Sequence, residues 1–151
     1  MSVLISGPPE AIRGSKVDVA RLRRCGERLL TAIGESGSEL SVVLVDDPEI
    51  SALNKRWRSR PQATDVLSFS QLALPVDDGP SQHPSGLLGD IVISVETAAK
   101  QAEERHRGLD ETITRLLIHG LLHLVGHDHV DDDDATRMSA EERRLWRGLN
   151  T

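Results

Sequence analysis

Residues 119 to 129 read His-Gly-Leu-Leu-His-Leu-Val-Gly-His-Asp-His, placing four of the six histidines in one short stretch. They close a segment opened by Asp110, in which Ile113, Leu116, Leu117, Leu121, Leu122 and Leu124 leave few polar positions before Gly126. A helix apolar on nearly every side has to be buried, so the rest of the chain must supply partners around it. Residues four apart share a helix face, which lets His119 and His123 aim their imidazoles at one ion. Gly126 stands where the helix can stop in left-handed or sharply bent backbone, letting His129 return from the following loop. Three neutral imidazoles with an open fourth position are how a catalytic zinc is held.

Two histidines four apart would by themselves more often be ordinary surface or core residues. The third histidine and the glycine tip the reading to a metal site. The spacing H-x3-H-x2-G-x2-H is the metzincin zinc pattern, except that the glutamate expected directly after the first histidine is Gly120. In zinc proteases that glutamate is the general base acting on water. The site therefore resembles that of a zinc protease stripped of its protease base.

At 151 residues the chain is read as a single domain, 1–151, able to bury a core without staples. With aromatics at 2% and no tyrosine, aliphatic side chains must fill it. No apolar run approaches the roughly 20 residues that span a bilayer, and the N-terminus lacks a basic region followed by an apolar one. A cytoplasmic protein without membrane contact is expected. The lone Cys25 fits a reducing compartment and reads as a buried, inert thiol. A net charge of -6 argues against indiscriminate polyanion binding. A local basic patch can still hold phosphate, and Lys55, Arg56, Arg58 and Arg60 form one, with no acid between Glu49 and Asp65.

Residues 2 to 6 read as a short strand. Asp18 is placed to cap a helix with Val19, Leu22, Cys25, Leu29 and Ile33 at helical spacing and Gly34 at its end; Arg21, Arg24 and Arg28 form its solvated face. Leu40 to Val45 is a nearly continuous apolar run, as in a central buried strand. Asp47-Pro48-Glu49 predicts a helix start with Asp47 as cap, followed by a buried stripe of Ile50, Leu53 and Trp57, and Pro61 ends that helix. Residues 64 to 70 alternate as a strand, with Val66 and Ser68 on one side and Leu67 and Phe69 on the other. Residues 75 to 86 read as a polar loop in which His83 is an ordinary member. Leu87 to Val95 is the clearest strand, and Ser94 can cap a helix over about 95 to 107, with His106 near its C-terminus. The last helix, about 133 to 149, covers the core with Met138, Leu145 and Leu149, and the acids Asp131 to Asp134 form its solvated start. The expected fold is α+β: a small mixed four-stranded sheet, about five helices packed on it, and the metal-bearing helix central and buried.

Four segments then coincide with one family. Leu53-Asn54-Lys55-Arg56-Trp57-Arg58, Thr64-Asp65-Val66-Leu67-Ser68-Phe69, Leu88-Gly89-Asp90-Ile91-Val92-Ile93-Ser94 and the His119 to His129 motif resemble the YbeY endoribonucleases, the rRNA maturation factors. The likeness covers roughly residues 40 to 130 in the same order. It implies one zinc ion on His119, His123 and His129, and a functionally important arginine at Arg58. It also implies cleavage of single-stranded RNA in small-subunit rRNA 3′ end maturation and ribosome quality control, with the small ribosomal subunit and its factors as partners. Many members carry tyrosine where this chain has His127. If the helix ran on through Gly126, His119, His123 and His127 would form an unbroken i, i+4, i+8 series; His129 is favoured because Gly126 weakens the helix.

Phosphodiester cleavage needs charge neutralisation, a nucleophile and a proton donor. Zinc would polarise the phosphate or activate water. Arg58 would hold the phosphate through a bidentate contact, with Lys55, Arg56 and Arg60 as further RNA-binding candidates. With Gly120 in place of glutamate, His127, Asp128 and the substrate's own 2′-hydroxyl remain as sources of the base, and Asp128 can also orient a ligand imidazole. Asp65 and Asp90 read as residues that hydrogen-bond backbone near the cleft. The competing readings are a non-catalytic ribosome-assembly factor with a structural zinc and, disfavoured by Gly120, a metalloprotease.

Overall fold

A computed structural model describes residues 3–8, 17–58, 64–70, 87–126 and 131–150. In chain order the elements are β1 (Val3–Ser6), α1 (Val19–Ala32), β2 (Glu39–Val45), α2 (Asp47–Arg58), β3 (Val66–Ser70), β4 (Leu87–Ser94), α3 (Val95–Glu104), α4 (Leu109–Leu124) and α5 (Asp132–Leu149). The sheet order is β1-β2-β4-β3. β1, β2 and β4 run parallel, and β3 joins β4 antiparallel, so the sheet is mixed as expected. The expected polar loop at 75–86 lies outside the described residues.

Strand alternation divides the interior into two unequal parts. Leu40, Val42 and Leu44 of β2 and Ile91 and Ile93 of β4 face a large cluster built from α1, α3, α4 and α5. Val45, Leu67 and Val92 face a small cluster closed by Ile50 of α2, with Val43, Leu53 and Phe69 at its border. Both faces of β2 are therefore covered, which is why its sequence is an apolar run rather than an alternation. Helix α4 lies in the middle of the larger side, touching α1, α3, α5, β3 and β4. Ile113, Leu117, Ile118, Leu121 and Leu122 are each no more than 2% exposed. At about 1.5–3 kcal/mol per buried aliphatic side chain, this helix is the largest single contributor to the fold.

Several local expectations need correction. The cap of α2 is Asp46, whose carboxylate accepts the Glu49 N–H at 2.9 Å. Asp47 is already helical, and its carboxylate turns away to accept from Ser94 Oγ (2.5 Å) and Thr97 Oγ1 (2.6 Å), with Lys100 Nζ at 3.7 Å. Trp57 does not join a buried stripe: it is 54% exposed, its ring edge-on to Phe69 at a centroid distance of 6.5 Å. Ile50 and Leu53 satisfy the small cluster, and the last turn of α2 passes its border.

Helix α3 stops at Glu104, short of the expected 107. His106 there adopts φ 54°, and Arg107 N–H closes on Ala102 O at 2.8 Å while His106 N–H reaches Glu103 O at 3.3 Å. This is a Schellman end in which a histidine fills the left-handed position usual for glycine. Arg28 is not simply solvated either; its guanidinium donates to Gly148 O (2.8 Å) and Leu149 O (3.2 Å), capping the C-terminus of α5. Cys25 is only half-buried. The caps expected at Asp18 and Ser94 are present, accepting from Arg21 N–H and Thr97 N–H.

Candidate metal centre

His119 and His123 lie one turn apart near the C-terminal end of α4, each partly buried. Their Nε2 atoms are 3.1 Å apart, and the rings meet edge to face with centroids 4.7 Å apart. Two imidazole nitrogens bound to one tetrahedral zinc at 2.0–2.1 Å would be separated by about 3.3 Å. The pair converges as two ligands of one ion do. The same spacing also allows one neutral ring to donate to the other, so the donor set fits a metal without requiring it.

The helix ends where the pair needs it to. α4 closes at Leu124, Val125 N–H returns to Leu121 O at 3.2 Å, and Gly126 takes φ 101° with its N–H on His123 O at 3.2 Å. An L side chain at Gly126 would be strained there. An unbroken helical series through His127 is therefore absent. His127, Asp128 and His129 lie outside the described residues, as does Arg60, and among the described residues no group of three or more His, Cys, Asp or Glu gathers as a metal cage. Arg58 ends α2, and its side chain is likewise outside the description; Lys55 and Arg56 are exposed on the same helix.

Gly120 acquires a physical reason. A Cβ on it would stand 3.0 Å from both Ile91 Cγ2 and Ser68 Oγ and 3.2 Å from Val66 Cγ2. Ser68 Oγ also donates to Gly120 O at 2.8 Å. Position 120 thus faces β3 and β4, and a larger side chain there would crowd Ile91, Ser68 and Val66. Glycine at this position fits that packing contact.

The sequence reading missed what stands behind the histidine pair. Glu142 of α5 brings Oε1 to 3.5 Å from His119 Nδ1, the nitrogen turned away from His123. A carboxylate at that position favours the tautomer with the proton on Nδ1 and the lone pair on Nε2, the arrangement usual for a metal-bound histidine. The signal was in the sequence: Met138, Glu142, Leu145 and Leu149 repeat at helical spacing, so an acid occupies a position on an otherwise apolar stripe. Arg115 of α4 anchors α5 nearby, its guanidinium 4.2 Å from the Trp146 ring centroid and its Nε 3.2 Å from Glu111 Oε2.

A cleft of about 350 Å³ opens beside His119, walled by Asp65, Gln101, Arg105, Arg107, Arg115 and Glu142 among others. Asp65 is positioned as expected, accepting from Val66 N–H (2.8 Å) and Gln101 Nε2 (3.0 Å). Asp90, on β4, pairs in register with Phe69 and Ser41. The first-turn acids of α5 are exposed or half-buried, with Asp131 as the cap, as a solvated helix start requires.

Residues 12–150 match the family model described as Endoribonuclease YbeY, and the chain belongs to that family. It is 45% identical over 127 residues to the Endoribonuclease YbeY of Anaeromyxobacter sp. (strain Fw109-5), covering 84% of this chain and 62% of the relative. It is 47% identical over 137 residues to that of Myxococcus xanthus, covering 90% and 45%. Against the Anaeromyxobacter dehalogenans relative the figures are 41% over 144 residues, 95% and 69%. The chain thus spans between about half and two-thirds of the length of these curated relatives. Among solved structures, a solution structure of a Thermotoga maritima protein matches with a TM-score of 0.63 and 25% identity, covering 97% of this chain and 88% of that one. No described helix is long and apolar enough to cross a membrane.

Proposed function

We propose that this chain is a metal-dependent endoribonuclease that cleaves single-stranded RNA, ribosomal RNA foremost, with a zinc ion on His119, His123 and His129. The observation that carries the reading is the convergence of His119 Nε2 and His123 Nε2 to 3.1 Å on a helix that ends at Leu124. Family membership supports the RNA substrate, since the relatives are named endoribonucleases. A zinc bound there would supply Lewis-acid stabilisation of the charge on the scissile phosphodiester.

The chain's own residues supply the rest. Glu142 holds the proton of His119 on Nδ1 and so keeps Nε2 free for the metal. Arg58, at the end of α2, binds the phosphate as a planar, permanently charged fork. His127 and Asp128 are placed by the sequence next to the third ligand, where either can carry a proton. The protease reading loses its ground at Gly120, where the required carboxylate is missing and a larger side chain would crowd the sheet. The small ribosomal subunit and a cytoplasmic setting complete the proposal.

The test is metal content measured beside cleavage of single-stranded RNA for wild type, His119→Ala, His127→Ala and His129→Ala. Loss of metal and chelator-sensitive cleavage in the His119 and His129 variants, with metal retained in His127→Ala, is expected. Loss of metal in the His127 variant alone overturns the ligand set. Undiminished cleavage by a metal-free His119→Ala protein overturns the metal-dependent mechanism, and a zinc-loaded wild type that cleaves no single-stranded RNA overturns the nuclease reading and leaves a structural zinc on an assembly factor.

A further inference from the structure

Beside Arg58, the end of α2 carries an exposed aromatic ring to which the proposed metal chemistry gives no role. Trp57 is 54% exposed, although on the same helical stripe Ile50 is fully buried and Leu53 partly so. Phe69 meets its ring edge to face, with centroids 6.5 Å apart and an interplanar angle of 69°. The Arg56 guanidinium lies 5.2 Å from the ring centroid, and Lys55 and Arg56 are both exposed. The sequence from Ile50 to Thr64 contains no acid. A half-exposed indole among cations has the chemistry of a stacking platform for a base, with the cations meeting its phosphates.

Its place in the fold links it to the histidines. β3 is an edge strand of the sheet, and its residues alternate: Phe69 faces Trp57, whereas Ser68 faces α4 and donates to the carbonyl of Gly120, next to His119. One strand edge therefore separates the indole from the metal helix. We propose that Trp57 stacks a nucleobase of a single-stranded RNA that crosses this edge on its way to the histidine pair. The proposal rests on the RNA-cleaving reading for its ligand, and names where that ligand is gripped away from the reacting phosphate. A polar protein partner fits less well, because the described charges beside the ring, Lys55 and Arg56, are of one sign and, among the described residues, the ring is presented singly rather than within an apolar patch.

The experiment measures equilibrium binding of a fully 2′-O-methylated single-stranded oligoribonucleotide to the intact protein and its variants. Trp57→Ala is expected to weaken binding by at least about tenfold, the scale of one base-aromatic stack, while Trp57→Phe retains most of the affinity. An abasic oligonucleotide of equal length is expected to bind wild type and Trp57→Ala alike. In Trp146→Phe, where Trp57 is the remaining tryptophan, the base-bearing strand should quench the fluorescence and the abasic strand should not. Because Trp57 is exposed, circular dichroism should show both Trp57 variants folded, and the phenylalanine rescue excludes a folding defect as the cause. Unchanged affinity in Trp57→Ala, or an equal loss for the abasic strand, overturns the platform and leaves the face to a protein. Cleavage plays no part in this assay, so binding through Trp57 by a chain that cuts no RNA would sink the nuclease reading alone.

Discussion

The two faces of the sheet are built to different standards. On one, α1, α3, α4 and α5 enclose a continuous aliphatic core, and α4 approaches the strands so closely that a Cβ at position 120 would stand 3.0–3.2 Å from Ile91, Ser68 and Val66. On the other, among the described residues, α2 covers Val45, Leu67 and Val92 with little more than Ile50 and Leu53, and its last turn leaves Trp57 54% exposed. The first face fixes atoms: two imidazole nitrogens at 3.1 Å and a carboxylate behind one of them. The second presents cations and a ring to something outside. Metal ligands need a rigid, close-packed support, whereas a surface that grips a flexible strand needs exposed charge, and on the function proposed above the histidine pair and the Trp57 surface lie on opposite faces of the sheet.

The largest blow to that division is Gly120→Glu, the substitution that restores the protease-like motif. It forces a charged side chain against Ile91 and Val66 on the thick face. The expected cost is about 4 kcal/mol or more, or failure to fold, from overpacking and an unpaired buried charge together. Urea unfolding measures it. A variant with wild-type stability would show that α4 does not press on the sheet at this point, and would reopen the protease comparison.

A smaller effect sharpens the comparison within the thick face. Glu142→Gln keeps the size of the side chain and α5's docking through Arg115 and Trp146, but removes the charge opposite His119 Nδ1. Zinc affinity, measured by competition with a chelating dye, is expected to fall about tenfold to a hundredfold, with thermal stability of the metal-free protein nearly unchanged. Equal affinity in the two proteins would make Glu142 a bystander.

The sequence was legible where one physical signal dominated. Element order, the mixed sheet, the buried strand β2 and the all-round apolar α4 followed from periodicity, because burial on every side leaves an unambiguous pattern. The helix stop before His127 followed from Gly126, which does take left-handed backbone. Trp57 was misplaced because periodicity gives a direction on the helix but not where the sheet beneath it ends. Asp47 was taken as the cap because Asp46 and Asp47 are both competent, and the tertiary partners Ser94 and Thr97 decide between them. Glu142 stood out only as an acid on the apolar stripe of α5, and that pattern does not name its partner. Its meaning comes from α4, 23 positions earlier in sequence at His119, and no local pattern reports that distance.

Asp47 is where the two faces are joined, and it supplies the mildest test. It opens α2 on the thin face, while its carboxylate is bound by the cap and first turns of α3 and its N–H donates to Glu96 Oε1 at 2.8 Å. Burial is the largest single influence on its titration and opposes the charge. The hydrogen bonds from Ser94 and Thr97, with Lys100 nearby, together outweigh it and hold the carboxyl below its ordinary value of 3.8. A folded-state pKa below the unfolded one means the stabilisation is fully present above pH 3.8 and is lost as pH falls through the folded value. Asp47→Asn should therefore cost about 1.5–3 kcal/mol at pH 7, the range of a hydrogen bond to a charged group, and the gap to wild type should narrow only on the acid side of 3.8. Urea midpoints for the two proteins, compared at neutral and acid pH, measure this. A gap that stayed constant into acid would mean that shape and hydrogen bonding, rather than charge, hold α2 to α3.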